Sequence, residues 1–376
     1  MKVKPKPTDL TYASVGVDRK SREKSRKTIA ETLEEDVGHY RNGHPLKLPF
    51  NTLFPVSKGS SNYLDLQIEG IGTKTLVAEL ARRYDTIGID AVAMVVNDVL
   101  RSGALPVLIS DGIHISESEK KIVNDLIAGV RTAARESECV LSSGETGDVP
   151  EILHERKEEG GMPFDMMASC LGIAHRDEVI SGKIGHGDQI IGLASSGIHS
   201  NGLTLARKVL LKPWGGKFDL WATPNPLKRP LANELLEPTR IYARPLKAVR
   251  RIVEVKSAIH ITGDGFGKFR RLLDWQKTSR RRSANFGFRF ALKRDPPEIF
   301  SLLMETSRSM GSPIPIAEMF RTFNMGFGFA IVVPKGPVDD ALGILNKYCP
   351  AEVIGTVSED GLISVSTGMS PKAVQL

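Results

Sequence analysis

Between residues 85 and 112 the chain reads DTIGIDAVAMVVNDVLRSGALPVLISDG, a core-like stretch that carries Asp85, Asp90, Asn97, Asp98 and Asp111. An isolated carboxylate in apolar surroundings is costly, so such acids need partners or a task. Glu145 closes a second stretch of this kind, CVLSSGET. Carboxylate oxygens delivered by strand ends suit magnesium, a hard cation that completes its shell with phosphate oxygens or water. Asp90, Asp111 and Glu145 are therefore the candidate metal ligands. Asp90, Asn97 and Asp98 are spaced by about two helical turns and share a side of one helix. Asp85 precedes that helix, where a carboxylate favours the positive end of the dipole. A second reading stays open: Asp85 caps the helix, and Asn97 and Asp98 form a satisfied buried network.

ASSGIHSNGLTLARK, residues 194–208, is the other chemical constellation. A strand delivers a loop of small residues that opens onto a helix. Small residues let backbone amides approach an anion. Ser195, Ser196, Ser200 and Asn201 add donors beside Gly197, and His199 is able to donate or shuttle a proton. The alternative is a helix capped by Ser200 or Asn201, with His199 at the surface. The usual nucleotide fingerprints G-x-x-x-x-G-K-[ST] and G-x-G-x-x-G are absent, as are H-E-x-x-H and G-x-S-x-G.

The elements that must hold these residues alternate. An arm over 1–50 contains a helical piece around 20–37. NYLDLQIEG (62–70) alternates like a strand and runs into a glycine turn. Helical spacing marks 75–84, and 91–103 reads as a buried helix stopped at Gly103. Strands are expected at 106–112, 139–146 and 164–175, with an amphipathic helix over 116–137 started by a Ser116/Glu119 capping box. The glycine-rich, charged segment 176–188 is a plausible junction. Beyond it come strand, loop and helix over 189–211, a Pro-rich surface excursion over 212–240, and a helix at 244–255. Strand, loop and helix recur over 258–273. Helices at 296–310 and 337–348 flank a strand at 327–334. The order is α/β with mixed sheets.

The chain has 376 residues, 41% of them hydrophobic and 25% charged, which is ordinary for a globular protein of two domains. A formal charge of +7 draws on two clusters, RKSREKSRK at 19–27 and SRRRS at 279–283. Neither stands beside stacking aromatics, so both read as solvated surface with a mild attraction for phosphorylated small molecules. No nucleic-acid partner and no membrane partner are expected, since no run reaches membrane-spanning length. The three cysteines, Cys139, Cys170 and Cys349, are far apart and suit a reducing cytoplasm.

From about residue 12 to 357 the chain resembles the phosphoribosylformylglycinamidine cyclo-ligase family, also called aminoimidazole ribonucleotide synthetases. YASVGVD, EGIGTK, the 85–112 stretch, GETGDVP, ASSGIHSNGLTLARK, LLEPTRIYARPL, HITGDGF and FRTFNMGFG match its motifs in order. The resemblance implies two α/β domains, an ATP-binding one over 51–176 and a substrate-binding one over 177–376. The first would complete a barrel with its mate in a homodimer. It also implies ATP and magnesium as cofactors. Glu69, Gly70, Gly72, Thr73, Asp85, Asp90, Asn97 and Asp98 would serve the nucleotide, and Lys74 would neutralise phosphate charge. Ser195, Ser196, Gly197, Ser200 and Asn201 would hold the substrate, with His199 handling protons beside an anion that raises its pKa.

The implied reaction closes formylglycinamidine ribonucleotide to aminoimidazole ribonucleotide. ATP phosphorylates the amide oxygen, and a ring-closing nitrogen then displaces phosphate. The chain departs from the family pattern at Glu69 (for Asp), Asp264 (for Gly), Lys268 (for Glu), Phe269 (for Asn) and Glu151 (for Gly), and in the bulky PFNTLFPVSKG segment. These departures keep open a paralogue that activates another amide or carboxylate; a third reading, a nucleotide-binding regulatory protein without catalysis, is opposed by the retained acids.

Overall fold

The computed structural model describes residues 9–153, 161–279 and 285–376. Helix α1 (Arg19–Val37) carries the 19–27 charge cluster; residues 280–283 of the second cluster lie outside the described residues. The first unit is a sheet of β1 (Leu46–Lys47), β2 (Thr52–Pro55), β3 (Asn62–Gly70), β4 (Leu105–Ile115), β5 (Val140–Asp148) and β6 (Phe164–His175), in the order β1-β2-β3-β6-β4-β5. The bounds of β3 and β6 coincide with the alternating sequence stretches that predicted them. Helices α2 (Lys74–Ala81), α3 (Ile87–Leu100), α4 (Lys120–Glu136) and α5 (Pro150–Leu153) complete this unit. β4 and β5 pair in parallel, as α4 makes the crossover between them.

The second unit opens with β7 (Gln189–Ala194), α6 (Leu203–Leu210), α7 (Leu231–Leu235), α8 (Ala243–Val249), β8 (Ser257–His260) and α9 (Phe269–Ser279). It continues with β9 (Gly287–Ala291), α10 (Glu298–Ser309), α11 (Ile316–Thr322), β10 (Phe327–Val333), α12 (Val338–Leu345), β11 (Ala351–Ser358), β12 (Ile363–Ser366) and β13 (Val374–Gln375). Its sheet runs β13-β12-β9-β11-β7-β10-β8. Every residue of β10 is buried, as expected of an apolar central strand with no alternation. Around β9, Phe266, Phe269, Phe288, Phe290 and Phe320 pack edge to face, with centroids from 4.9 to 5.4 Å apart.

Several local expectations are corrected. β4 and β5 run past Asp111 and Glu145, so both acids stand inside strands rather than at their ends. α4 begins at Lys120 with Glu119 at its cap and no side-chain capping bond; the Ser116 hydroxyl is buried and unpartnered, so the capping box does not form. The 212–240 segment is not only surface: Leu231, Ala232, Leu235, Leu236 and Thr239 are buried. The arm is docked, too. Tyr12 and Val15 are buried, the Tyr12 amide donates to Glu318, and Lys208 donates to the Val15 carbonyl. Its last residues form β1, paired with β2.

Candidate functional site

α3 is buried on all sides and enters the molecule against α4 with almost no space between backbones. A Cβ on Gly88 would stand 2.0 Å from the Leu126 carbonyl oxygen. The helix thereby carries Asp90, Asn97 and Asp98 into the seam between the two units, where each finds partners from the second. Lys74 Nζ lies 2.7 Å from Asp90 Oδ2, with both side chains fully buried, and donates to the Glu237 carbonyl at 2.6 Å. Asp90 Oδ1 accepts from the Thr239 amide (2.8 Å) and hydroxyl (2.6 Å) and from Ser200 Oγ (3.1 Å). Asn97 brackets the backbone of Arg240 and Tyr242. Lys74, Asp90 and Asn97 clamp the returning 237–242 segment. Asp85 is at the surface, paired with Arg83 at 2.9 Å, and the residue at the cap of α3 is Thr86.

The three candidate metal ligands do not converge. Asp90 is taken up by Lys74. In the β4–β5 ladder Asp111 pairs with Gly144 and Gly112 with Glu145, so alternation sends Asp111 and Glu145 to opposite faces. Asp111 Oδ2 is buried without a partner, and burial pushes its carboxyl up, whereas Glu145 is exposed. Among the described residues no group of three or more His, Cys, Asp and Glu is placed to hold a metal ion.

The 195–201 loop is a tied structure. Asn324, from the FRTFNMG motif, accepts from Ser195 Oγ at 3.1 Å and donates to the carbonyls of Gly197 (2.8 Å) and Ile198 (3.1 Å). Ser196 Oγ donates to the Pro238 carbonyl. His199 adopts a left-handed backbone, φ 66°, and its Nε2 accepts from the Ser196 amide at 3.1 Å. That fixes a neutral ring with its proton on Nδ1, which is buried and unpartnered. Burial, with His260, Lys74 and Arg240 nearby, holds its pKa well below 6.5. The upward shift is expected beside a bound anion; in the chain alone burial first, and then the neighbouring positive charge, act the other way. Nor does Ser200 or Asn201 cap α6, whose cap is Gly202 at φ 90°.

Three predicted residues do meet in one cavity. A space of about 250 Å³ between the units is lined by Gln67 and Glu69 of β3, Asp98 of α3 and Arg101 just after it, Asn201, the Thr262–Asp264 loop, Lys268 just before α9 and Arg271 in its first turn. Asp98 is bound by Arg101 at 3.0 Å and by His260 Nδ1 at 2.7 Å. Burial alone would raise its carboxyl, but Arg101, Lys268 and His260 outweigh it and hold it well below the usual range. Glu69 is pushed up by burial and by the Asp98 charge. Lys268, also buried, is pulled down to about 8. Gly70, Gly72 and Thr73 form the turn after β3; Gly72 takes φ 68°, which suits glycine, and Thr73 Oγ1 meets Thr204 Oγ1 of α6 at 2.9 Å. Arg101, His260, Arg271 and Thr239 were not singled out from sequence. Only their membership in the matched motifs or their neighbourhood to them could have signalled them. Asp264 and Lys268, noted as departures, stand in this same cavity.

Two family descriptions match the chain: AIR synthase related protein, N-terminal domain, over residues 56–174, and the corresponding C-terminal domain over 185–367. The phosphoribosylformylglycinamidine cyclo-ligase of Pyrococcus furiosus is 36% identical, over 96% of this chain and 99% of its own length. That of Thermococcus gammatolerans is 37% identical, over 95% and 98%. Among solved structures, thiamine monophosphate kinase from Aquifex aeolicus aligns with a TM-score of 0.58 at 16% identity, over 92% of this chain and 97% of the other. Hydrogenase maturation protein HypE in complex with ATP aligns with a TM-score of 0.53 at 16% identity, over 90% and 88%. These structures share the fold. By its full-length identity and the match of both halves, the chain belongs to the phosphoribosylformylglycinamidine cyclo-ligase family.

Proposed function

We propose that the chain is an ATP-dependent cyclo-ligase that converts formylglycinamidine ribonucleotide to aminoimidazole ribonucleotide, ADP and phosphate. What carries this reading is relatives of that name matching end to end, with four of the matched motifs contributing to one polar interdomain cavity. The γ-phosphoryl group passes to the amide oxygen, which makes it a leaving group; the ring-closing nitrogen attacks the same carbon, and phosphate departs. The first unit takes the nucleotide at the Glu69–Thr73 turn. The second presents substrate from the 195–201 loop, where the free Nδ1–H of neutral His199 is the donor available to the reacting group. The protein's share is positioning and charge neutralisation. ATP as donor is supported by the like-folded HypE bound to ATP. Among the described residues no group of acids forms a metal cage, so magnesium would enter carried on the nucleotide's phosphates, beside Glu69 of the cavity.

The enzyme works as a homodimer in the cytoplasm. Leu66 (67% exposed), Ile68 (65%), Met167 and Ile173 crowd one open sheet face, a patch that water tolerates poorly. Cys139, Cys170 and Cys349 are free thiols, as a reducing compartment permits, and no helix among the described residues is long and apolar enough to cross a membrane. The same chemistry on a different amide or carboxylate is a second reading, favoured by Glu69, Asp264 and Lys268 lining one cavity. Purified protein is incubated with formylglycinamidine ribonucleotide, ATP and magnesium. Aminoimidazole ribonucleotide and ADP in equal amounts are expected; ATP binding with no product in any amount of enzyme rejects the first reading.

A further inference from the structure

We propose that Lys268 is the phosphate-gripping residue of the interdomain cavity, holding a phosphate dianion together with Arg271 and the neutral donors Thr262 and Asn201. The inference rests on the ligase reading of this cavity and adds a residue and a ligand group to it.

Lys268 closes the tight turn at Gly265–Lys268 that leads into α9, and is only 6% exposed. An ammonium has three donors to satisfy. Here one goes to Thr262 Oγ1, and no ion pair to Lys268 forms among the described residues. Asp98, the carboxylate whose charge acts most on it, is already committed to Arg101 at 3.0 Å and His260 at 2.7 Å. A buried cation with spare donors beside a cavity of about 250 Å³ is poorly compensated until an anion enters.

The groups facing Lys268 permit that anion. Arg101 at the end of α3 and Arg271 from α9 add positive charge. Asp98 is neutralised by its own partners. Glu69 on β3 is pushed up by burial and by the Asp98 charge, which weakens its opposition to an anion. Asp264 also lines the cavity and already has an interaction of its own. A phosphate gains more from such a set than a neutral amide does, since charge-assisted bonds are shorter and stronger. The dianion has two sources in the reaction: the nucleotide's phosphate chain, or the ester phosphate of the ribonucleotide substrate.

The full-length protein, with Lys268→Met, Lys268→Gln and Lys268→Arg, is titrated calorimetrically with inorganic phosphate, ribose 5-phosphate and a methylene-bridged ATP analogue. Loss of one charge-assisted contact is expected to weaken the relevant probe about tenfold or more in Met and Gln, with Arg within about threefold of wild type. A loss confined to ribose 5-phosphate assigns the substrate's ester; a loss confined to the analogue assigns the nucleotide chain. KM for that ligand rises in step while KM for the other stays put, which a purely structural role does not produce. Unchanged affinity for all three probes in folded Gln or Met protein overturns the proposal. So does Arg behaving like Met. A wild-type enzyme that binds phosphate through Lys268 yet makes no aminoimidazole ribonucleotide sinks the ligase reading alone.

Discussion

At the scale of single residues, His199 shows how enclosure decides protonation. Its loop setting in the sequence suggests a solvent-facing imidazolium near an anion. In the folded chain Nε2 accepts a backbone amide, the ring is buried, and Lys74, Arg240 and His260 all oppose a further charge. The folded pKa lies below the unfolded 6.5, so in the window beneath 6.5 the unfolded chain binds a proton that the folded one refuses. Stability contributed by His199 is therefore complete above 6.5 and is lost as pH falls. The slope for one such proton is about 1.4 kcal/mol per pH unit. His199→Asn keeps a residue that tolerates the φ of 66° and removes the titration. Urea unfolding between about pH 5 and pH 7.5 is expected to show a shallower dependence on pH in the variant. Parallel curves would mean that His199 titrates alike in both states.

At the scale of elements, α3 is the part that aims the site. It carries Asp90 to Lys74 and Thr239, Asn97 to the Arg240–Tyr242 backbone, and Asp98 to the cavity. Its angle depends on the backbone contact with α4, where Gly88 meets Leu126 and Gly129 meets Asp85. Gly88→Ala puts a methyl 2.0 Å from a carbonyl oxygen that no rotamer can move. Relief requires sliding one helix on the other, at about 1–3 kcal/mol. Because Asp98 rides on α3, kcat/KM is expected to fall together with the melting temperature. Gly343→Ala on α12 is the control: nothing lies within 4 Å of its new methyl, and helix propensity favours alanine by about 0.5–1 kcal/mol. A Gly88→Ala protein that melts and turns over like wild type would show that the crossing is not what positions the helix.

At the scale of the whole molecule, the open face of the first sheet calls for a partner. Leu66→Lys together with Ile68→Lys places two charges where apolar side chains stand more than three-fifths exposed. Sedimentation is expected to show a dimer for wild type and a monomer for the double variant, with activity falling alongside. A wild-type monomer that is fully active at micromolar concentration would remove the homodimer. The limits of β3 and β6 and the existence of the buried α3 were legible in the sequence, because side-chain periodicity acts over a few residues; α3 itself starts at Ile87 and ends at Leu100, earlier at both ends than the 91–103 stretch expected. The order of the motifs sufficed for the family. The short β1, β12 and β13 were not legible, since two to four residues display no period. Nor were the partners of the acids. Asp90 meets Lys74 and Thr239, and Asp98 meets His260, 162 residues away. The register of β4 on β5 alone sends Asp111 and Glu145 to opposite faces, and only the return of 237–242 against α3 shuts Lys74 inside. Residue type and local spacing determine which elements form and which groups have chemistry to offer. Which of those groups meet, and whether they meet water or each other, is decided by contacts between distant segments, which set burial and with it every charge in the site.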